Sequence, residues 1–180
     1  MLTVATPVAL LIHRDQAEAL SRVRDAQGLR AFTAGQGEGW LDSRILKANA
    51  LPLVTVSKHR LLFAMLEHKR FDYFPRAALE IGDELRRENK APFLIEPNLV
   101  LHYPTAYYYL VNRRNEALAR ALESGLRTLK DSGEFQRLFT RYHAKALKAA
   151  DLRHRTRIEL ENPFLPTQGI DLADPIWYRP

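Results

Sequence analysis

The chain has 180 residues, 46% hydrophobic and 27% charged, with 27 Lys plus Arg against 21 Asp plus Glu for a net charge of +6. That composition is ordinary for a globular protein of one domain or two small ones, and it is enough to bury a core. There is no cysteine, which excludes disulfides and thiolate metal sites and leaves the redox compartment unread.

The positive excess is local. Between Arg141 and Arg157 stand six Lys/Arg (Arg141, Lys145, Lys148, Arg153, Arg155, Arg157) against the single acid Asp151. The one aromatic there, Tyr142, belongs to an apolar stripe, so a stacking platform for nucleic acid is missing and the segment reads as a solvated helix end and linker. Met1 to Leu11 lacks a basic n-region, is interrupted by Pro7 and runs into His13-Arg14-Asp15 without a small-residue cleavage site, so it does not read as a signal peptide. No run approaches the roughly 18 apolar residues needed to cross a bilayer.

In chain order, Val8 to His13 reads as a buried strand, followed by a helix from Asp15 to about Arg24 that Asp15 caps and Gly28 ends. Leu29 to Ala34 reads as the next strand, and Leu41 to Ala48 as a helix with Leu41, Ile45, Leu46 and Ala48 on its apolar face. Leu53 to Val56 is a strand; Ser57 then caps a helix carrying Leu61, Leu62, Met65 and Leu66. Phe71 to Phe74 is a strand closed by Pro75, Ala77 to Asn89 a helix, and Pro92 to Glu96 a strand. This alternation predicts a mostly parallel sheet covered by helices. Thr105 to Val111, rich in tyrosine, reads as a further strand. Two helices follow without a strand between them: Asn115 caps the first, with Leu118, Leu122 and Leu129 on one face; Ser132-Gly133 breaks it; Phe135, Leu138, Phe139 and Tyr142 stripe the second. From Asn162 the prolines imply an extended tail.

The stretch from Ala34 to Ser43 joins a strand-like run to a helix-like run through Gly35, Gly37 and Gly39. Such a turn lets backbone approach a bound group and presents helix N-terminal N–H groups to an anionic or strongly polar ligand; equally, any tight strand-to-helix turn needs glycine. It is not a dinucleotide fingerprint, because Trp40 stands where the third glycine is required, and it lacks the Gly-Lys-Ser/Thr of a phosphate-binding loop. Trp40 either stacks on a ligand or anchors the turn. Glu38 and Asp42 suit the helix dipole as well as a site. Asp72 reads as structural, and the six histidines show no pair at metal-ligand spacing, so no metal site is expected. No Gly-x-Ser-x-Gly elbow is present, and catalytic residues are not indicated.

The order of parts from about residue 8 to 148 resembles the second half of a bacterial extracellular solute-binding protein of the amino-acid-binding type, the two-lobed receptors of ABC transporters. The residues that carry it are Val8 to Arg14, Leu29 to Leu46, Leu61 to Phe74, Thr105 to Asn112 and, most specifically, the closing pair Leu118 to Tyr142. The resemblance implies an α/β fold of the type 2 periplasmic-binding kind. Residues 1–13 would be a strand crossing from an incomplete lobe, 14–104 one complete lobe, 105–150 a returning strand and closing helices of the other lobe, and 151–180 an extended tail. It implies a ligand wall at Gly35, Gln36, Gly37, Glu38, Trp40, Phe74 and Arg76.

The chain departs from the family at three points. Gln36 and Gly37 stand where the family offers a hydroxyl, and Arg76 stands where it often holds an acid for an α-ammonium group, which favours an anion. Members also carry an export signal and most of a first lobe ahead of these parts, so this chain reads as truncated, with the helices from 115 to 143 exposing apolar faces or burying them on a partner or second copy. The implied function is non-catalytic binding of a small polar or anionic solute, such as an amino acid or carboxylate, for a transporter or sensor at the periplasmic membrane face. A carboxylic-acid dehydratase on the same fold, using Glu38 and Asp42, and a regulatory or assembly module that dimerises are the alternatives. No cofactor and no nucleic acid are expected.

Overall fold

The computed structural model describes residues 7–88, 92–105 and 109–165. Its centre is β1 (Val8–His13), six consecutive residues buried on both faces. Val8, Leu10 and Ile12 enter one apolar cluster, while Ala9 and Leu11 enter the other. That is the two-sided run expected of an interior strand, with successive side chains on opposite faces. The sheet has seven strands in the order β3 (Leu53–Val56), β2 (Ala34–Gly37), β4 (Tyr73–Ala77), β1, β6 (Leu99–His102), β7 (Thr156–Glu159), with β5 (Phe93–Ile95) also on β1. β2 is parallel to β3 and β4, and β6 to β7, whereas β1 is antiparallel to β4, β5 and β6. Among the described residues six strands therefore run one way and β1 runs against them.

One face of the sheet is covered by α1 (Ala17–Leu20), α2 (Ala26–Leu29) and α3 (Leu41–Ala48), through Leu20, Leu29, Ile45 and Leu46. The other is covered by α4 (His59–Glu67), α5 (Ile81–Arg87) and the last turn of α7 (Glu134–Ala150), through Leu62, Phe63, Leu66, Ile81 and Ala150. α6 (Glu116–Asp131) and α7 form a hairpin. Asn115 caps α6 by accepting from the Leu118 N–H at 3.1 Å, and Gly133, at φ +73°, makes the reversal. That left-handed conformation favours glycine. Apart from Ala150, no residue of the pair is buried, and Leu118 and Tyr142 are 45% and 86% exposed. The exposure expected for these helices is present.

Several boundaries differ from the sequence reading. Leu29 to Ala34 is not a strand: Asp25 accepts from the Gly28 N–H at 2.7 Å and caps α2, so Gly28 lies inside a short helix and the strand begins at Ala34. The helix read from Asp15 to Arg24 is a 3-10 turn, Arg14–Gln16, plus the single turn α1. Ser57 does not cap α4, whose N-cap position is Lys58, and α5 starts four residues later than expected because β4 continues through Pro75 to Ala77.

Pro75 is tolerated in mid-strand for a local reason. Its carbonyl faces β2, where it accepts from Gln36 Nε2 at 3.2 Å. Within a strand the N and C=O of one residue point to the same side, so the missing N–H also faces β2, where the ladder with β4 is limited to Ala34 and Tyr73.

Two strands, β6 and β7, escaped the sequence reading, whereas β5 was expected over Pro92 to Glu96. β5 and β6 are successive pieces of one interrupted strand beside β1, and the break is held by Glu96, which is fully buried and accepts from the N–H groups of Asn98 (2.9 Å) and Leu99. Arg155 donates to the carbonyls of Ala150 (2.6 Å), Glu96 and Leu99 (3.2 Å), fastening the end of α7 and the approach to β7 to that break. Burial pulls its guanidinium pKa down, against the charges of Glu96 and Asp151. Arg155 is thus a structural cation, not part of a solvated basic run, and β7 lies within the segment read as an extended tail. The strand expected over Thr105 to Val111 falls largely outside the described residues, Tyr107 and Tyr108 included; Thr105 and residues 109–112 are not in a strand. The first six residues and those from Pro166 onward also lie outside them.

Candidate functional site

The glycine-rich stretch is the strand β2 itself, and the turn follows it at Glu38 to Trp40, with Gly39 at φ +75°. Gly35 and Gly37 are required by rings. A Cβ on Gly35 would lie 2.3 Å from the Phe71 ring, and one on Gly37 would lie 2.2 Å from the Trp40 ring. Both distances are far inside van der Waals contact. The close approach that these glycines permit is therefore already used by Phe71 and Trp40, not left open for a ligand. Gln36, 1% exposed, is committed to Pro75 and to the Gly37 N–H, which donates to its Oε1 at 3.2 Å. Ser43 Oγ donates to the Gly37 carbonyl at 2.6 Å and closes the turn onto α3.

Around this turn the fold brings together Trp40, Phe74 and Arg76 from the sequence-derived set, because β2 and β4 are adjacent and parallel and end at the same edge. The Trp40 ring stacks on His59 at 5.6 Å between centroids and 29° between planes. His59 in turn meets Phe63 and Phe74. The Arg76 guanidinium lies 5.2 Å from the Phe74 ring and 5.6 Å from the Trp40 ring, within cation–π range. Glu38 is exposed at the turn.

Arg76 is not a free anion receptor. Its Nε donates to Glu84 Oε2 at 2.7 Å and its Nη2 to Glu84 Oε1, the bidentate carboxylate geometry, with Glu80 at 3.5 Å. Both side chains of the Arg76–Glu84 pair are 14% exposed. Burial works against the Arg76 charge, but the Glu84 hydrogen bonds and the charges of Glu84, Glu80 and Asp42 outweigh it and raise its pKa. Nη1 has no partner among the described residues. The geometry thus places one guanidinium nitrogen without a partner among the described residues, held in position by Glu84, beside a Trp–His stack.

Asp42, the other half of the acid pair considered for catalysis, accepts from the Tyr103 hydroxyl at 2.7 Å. Asp72 is structural as read: its carboxylate accepts from the Thr33 N–H and from Gln16 Nε2, both at 2.7 Å, and so pins the starts of β2 and β4. Among the described residues no group of three or more His, Asp or Glu is placed to hold a metal ion. Sequence reasoning missed His59, Glu84 and Tyr103. Arg76 and Glu80 at i, i+4 was a legible helical signal, but the stronger partner lies eight residues on and is set by the β4-to-α5 corner.

No protein-family model matches the chain, and no curated protein matches it. Solved structures do. An ancestral arginine-binding protein bound to glutamine superposes with a TM-score of 0.54 at 14% identity, over 76% of this chain and 59% of that one. An amino acid ABC transporter substrate-binding protein from Streptococcus pneumoniae, bound to L-arginine, gives 0.52 at 16% identity over 81% and 59%. The GluR0 ligand-binding core in complex with L-glutamate gives 0.55 at 11% identity, again over 81% and 59%. The chain spans about 59% of the length of these structures. It has the α/β fold of type 2 periplasmic, amino-acid-binding substrate-binding proteins, over part of their length.

Proposed function

We propose that this chain is a non-catalytic solute-binding module in which residues 14–104 form one wall of a ligand cleft. The solute is small and polar or anionic, an amino acid or carboxylate, delivered to an ABC transporter or sensor on the periplasmic side of a membrane. The carrying observation is the Arg76 edge beside the Trp40–His59 stack, at the shared end of β2 and β4. It coincides with a fold whose solved examples hold glutamine, arginine and glutamate.

On this reading, Arg76 Nη1 meets the solute carboxylate, Trp40 packs against its body, and Glu84 keeps the guanidinium aimed. Binding selects a closed arrangement in which a second wall completes the cleft, and that arrangement is what a transporter or sensor reads. The wall built by the described residues contributes only part of the contact, so its intrinsic affinity is weak. The dehydratase alternative gains nothing from the geometry, since Asp42 is held by Tyr103.

The test is ligand-observed NMR of the chain with glutamine, arginine, glutamate and a simple dicarboxylate. Millimolar binding that Arg76→Gln abolishes, while the fold persists by circular dichroism, supports the assignment. Binding that is unchanged in Arg76→Gln and Trp40→Ala would remove this surface from consideration.

A further inference from the structure

The α6–α7 hairpin and α5 frame a trough that adjoins that wall through Glu80 and Glu84, the partners of Arg76. Two adjoining hollows, of about 680 Å³ between α5 and α7 and about 630 Å³ along α7, share Tyr142 and His143. At 100° per residue, Phe135, Leu138, Tyr142, Ala146 and Ala149 fall in one sector of α7 about 80° wide, the spacing of a helix-pairing seam. From Phe135 to Ala149 the seam runs about 21 Å, longer than a small molecule and close to two heptads of a partner helix. Tyr142, at its middle, is 86% exposed.

Charge decides what fits. The acids lining the trough are already matched: Asp83 with Arg86, and Glu80 and Glu84 with Arg76. The cations Arg87 on one wall and Arg141 and Lys145 on the other have no partner among the described residues. A second copy is a poor occupant, because α6 and α7 carry seven Lys/Arg against four Asp/Glu and would bring like charges together.

We propose that this trough docks an amphipathic helix of a partner protein whose apolar seam is flanked by acidic residues. The seam packs on Leu138, Tyr142 and Ala146, and the acids pair with Arg141, Lys145 and Arg87.

The experiment is fluorescence anisotropy of the full chain with a labelled designed helix of about three heptads, leucine in the seam and glutamate at the flanking positions, against the same helix with lysine there. Saturable binding of the glutamate helix, about tenfold or more tighter than the lysine helix and weakening with salt, supports the proposal. Arg141→Glu with Lys145→Glu should abolish or reverse that preference, and Tyr142→Ala should weaken binding several-fold, with helical circular dichroism unchanged in both. Equal binding of the two helices, or none, overturns it. So does light scattering that shows a dimer made monomeric by Tyr142→Ala, which assigns the face to a second copy. Deletion of residues 166–180 that raises glutamate-helix binding tenfold would assign the face to the chain's own Asp171- and Asp174-containing segment.

Discussion

β1 and α6 are both apolar segments, yet they end in opposite environments. Leu10, Leu11 and Ile12 are fully buried between helices on two faces. Leu118 of α6 is exposed and Leu122, Leu126 and Leu129 are half-buried, in a helix with no buried residue. A helix with a clear apolar stripe shows that something is meant to cover that stripe; it does not show that the cover is in the same chain. The sheet region holds the buried apolar clusters, and the hairpin carries exposed apolar surface.

The largest expected effect tests how tight the sheet region is. Gly35→Ala places a methyl group against the buried Phe71 ring and should destabilise by about 3 kcal/mol in a urea titration. A loss below about 1 kcal/mol would mean that the ring moves aside and the β2 packing is loose. Leu10→Ala in β1 should likewise cost about 3 kcal/mol, whereas Leu122→Ala in α6 should cost less than about 1 kcal/mol, since its side chain keeps much of its exposure. Equal losses would erase the distinction between the two regions. Native-state hydrogen exchange offers a second view, with β1 amides expected to open only on global unfolding and α6 amides at lower free energy.

A smaller effect of opposite sign lies inside the core. The Tyr73 hydroxyl is buried with no hydrogen-bond partner among the described residues, so Tyr73→Phe should stabilise by about 1 kcal/mol. Burial, with a contribution from Asp72, raises the Tyr73 pKa above its usual 10.0. Below pH 10 both folded and unfolded states keep the proton, and this group adds no pH dependence. Above it the unfolded state loses the proton first, so stability falls as pH rises, and the Phe variant should show a shallower alkaline decline. Identical alkaline profiles would mean that the hydroxyl ionises in the folded state as readily as in the unfolded one, reached by solvent.

Much of the fold was legible. β1 and β3 were placed by continuous apolar runs and α3 by its stripe, while α6 was placed by the Asn115 cap and the Gly133 break. The errors have physical causes. A glycine-rich segment has no side-chain pattern, so β2 was read as a turn when its register came from parallel pairing with β3. Pro75 signalled a strand end because the compensating Gln36 amide lies 39 residues away. β6 and β7 are short and polar-edged, and Arg155 and Glu96 are charged groups whose burial depends on each other's neighbourhood.

By itself the sequence determined the alternation of strands and helices, the interior character of β1 and the amphipathicity of the closing helices, because periodicity and capping act over a few residues. Only the tertiary structure decided what the special residues do. Gly35 and Gly37 accommodate Phe71 and Trp40 rather than a ligand, Arg76 is held by Glu84, and the α7 seam lies beside cations that have no partner among the described residues. Each of those outcomes depends on which distant group arrives at a given strand end or helix face, and contacts across tens of residues leave no periodic trace in the chain.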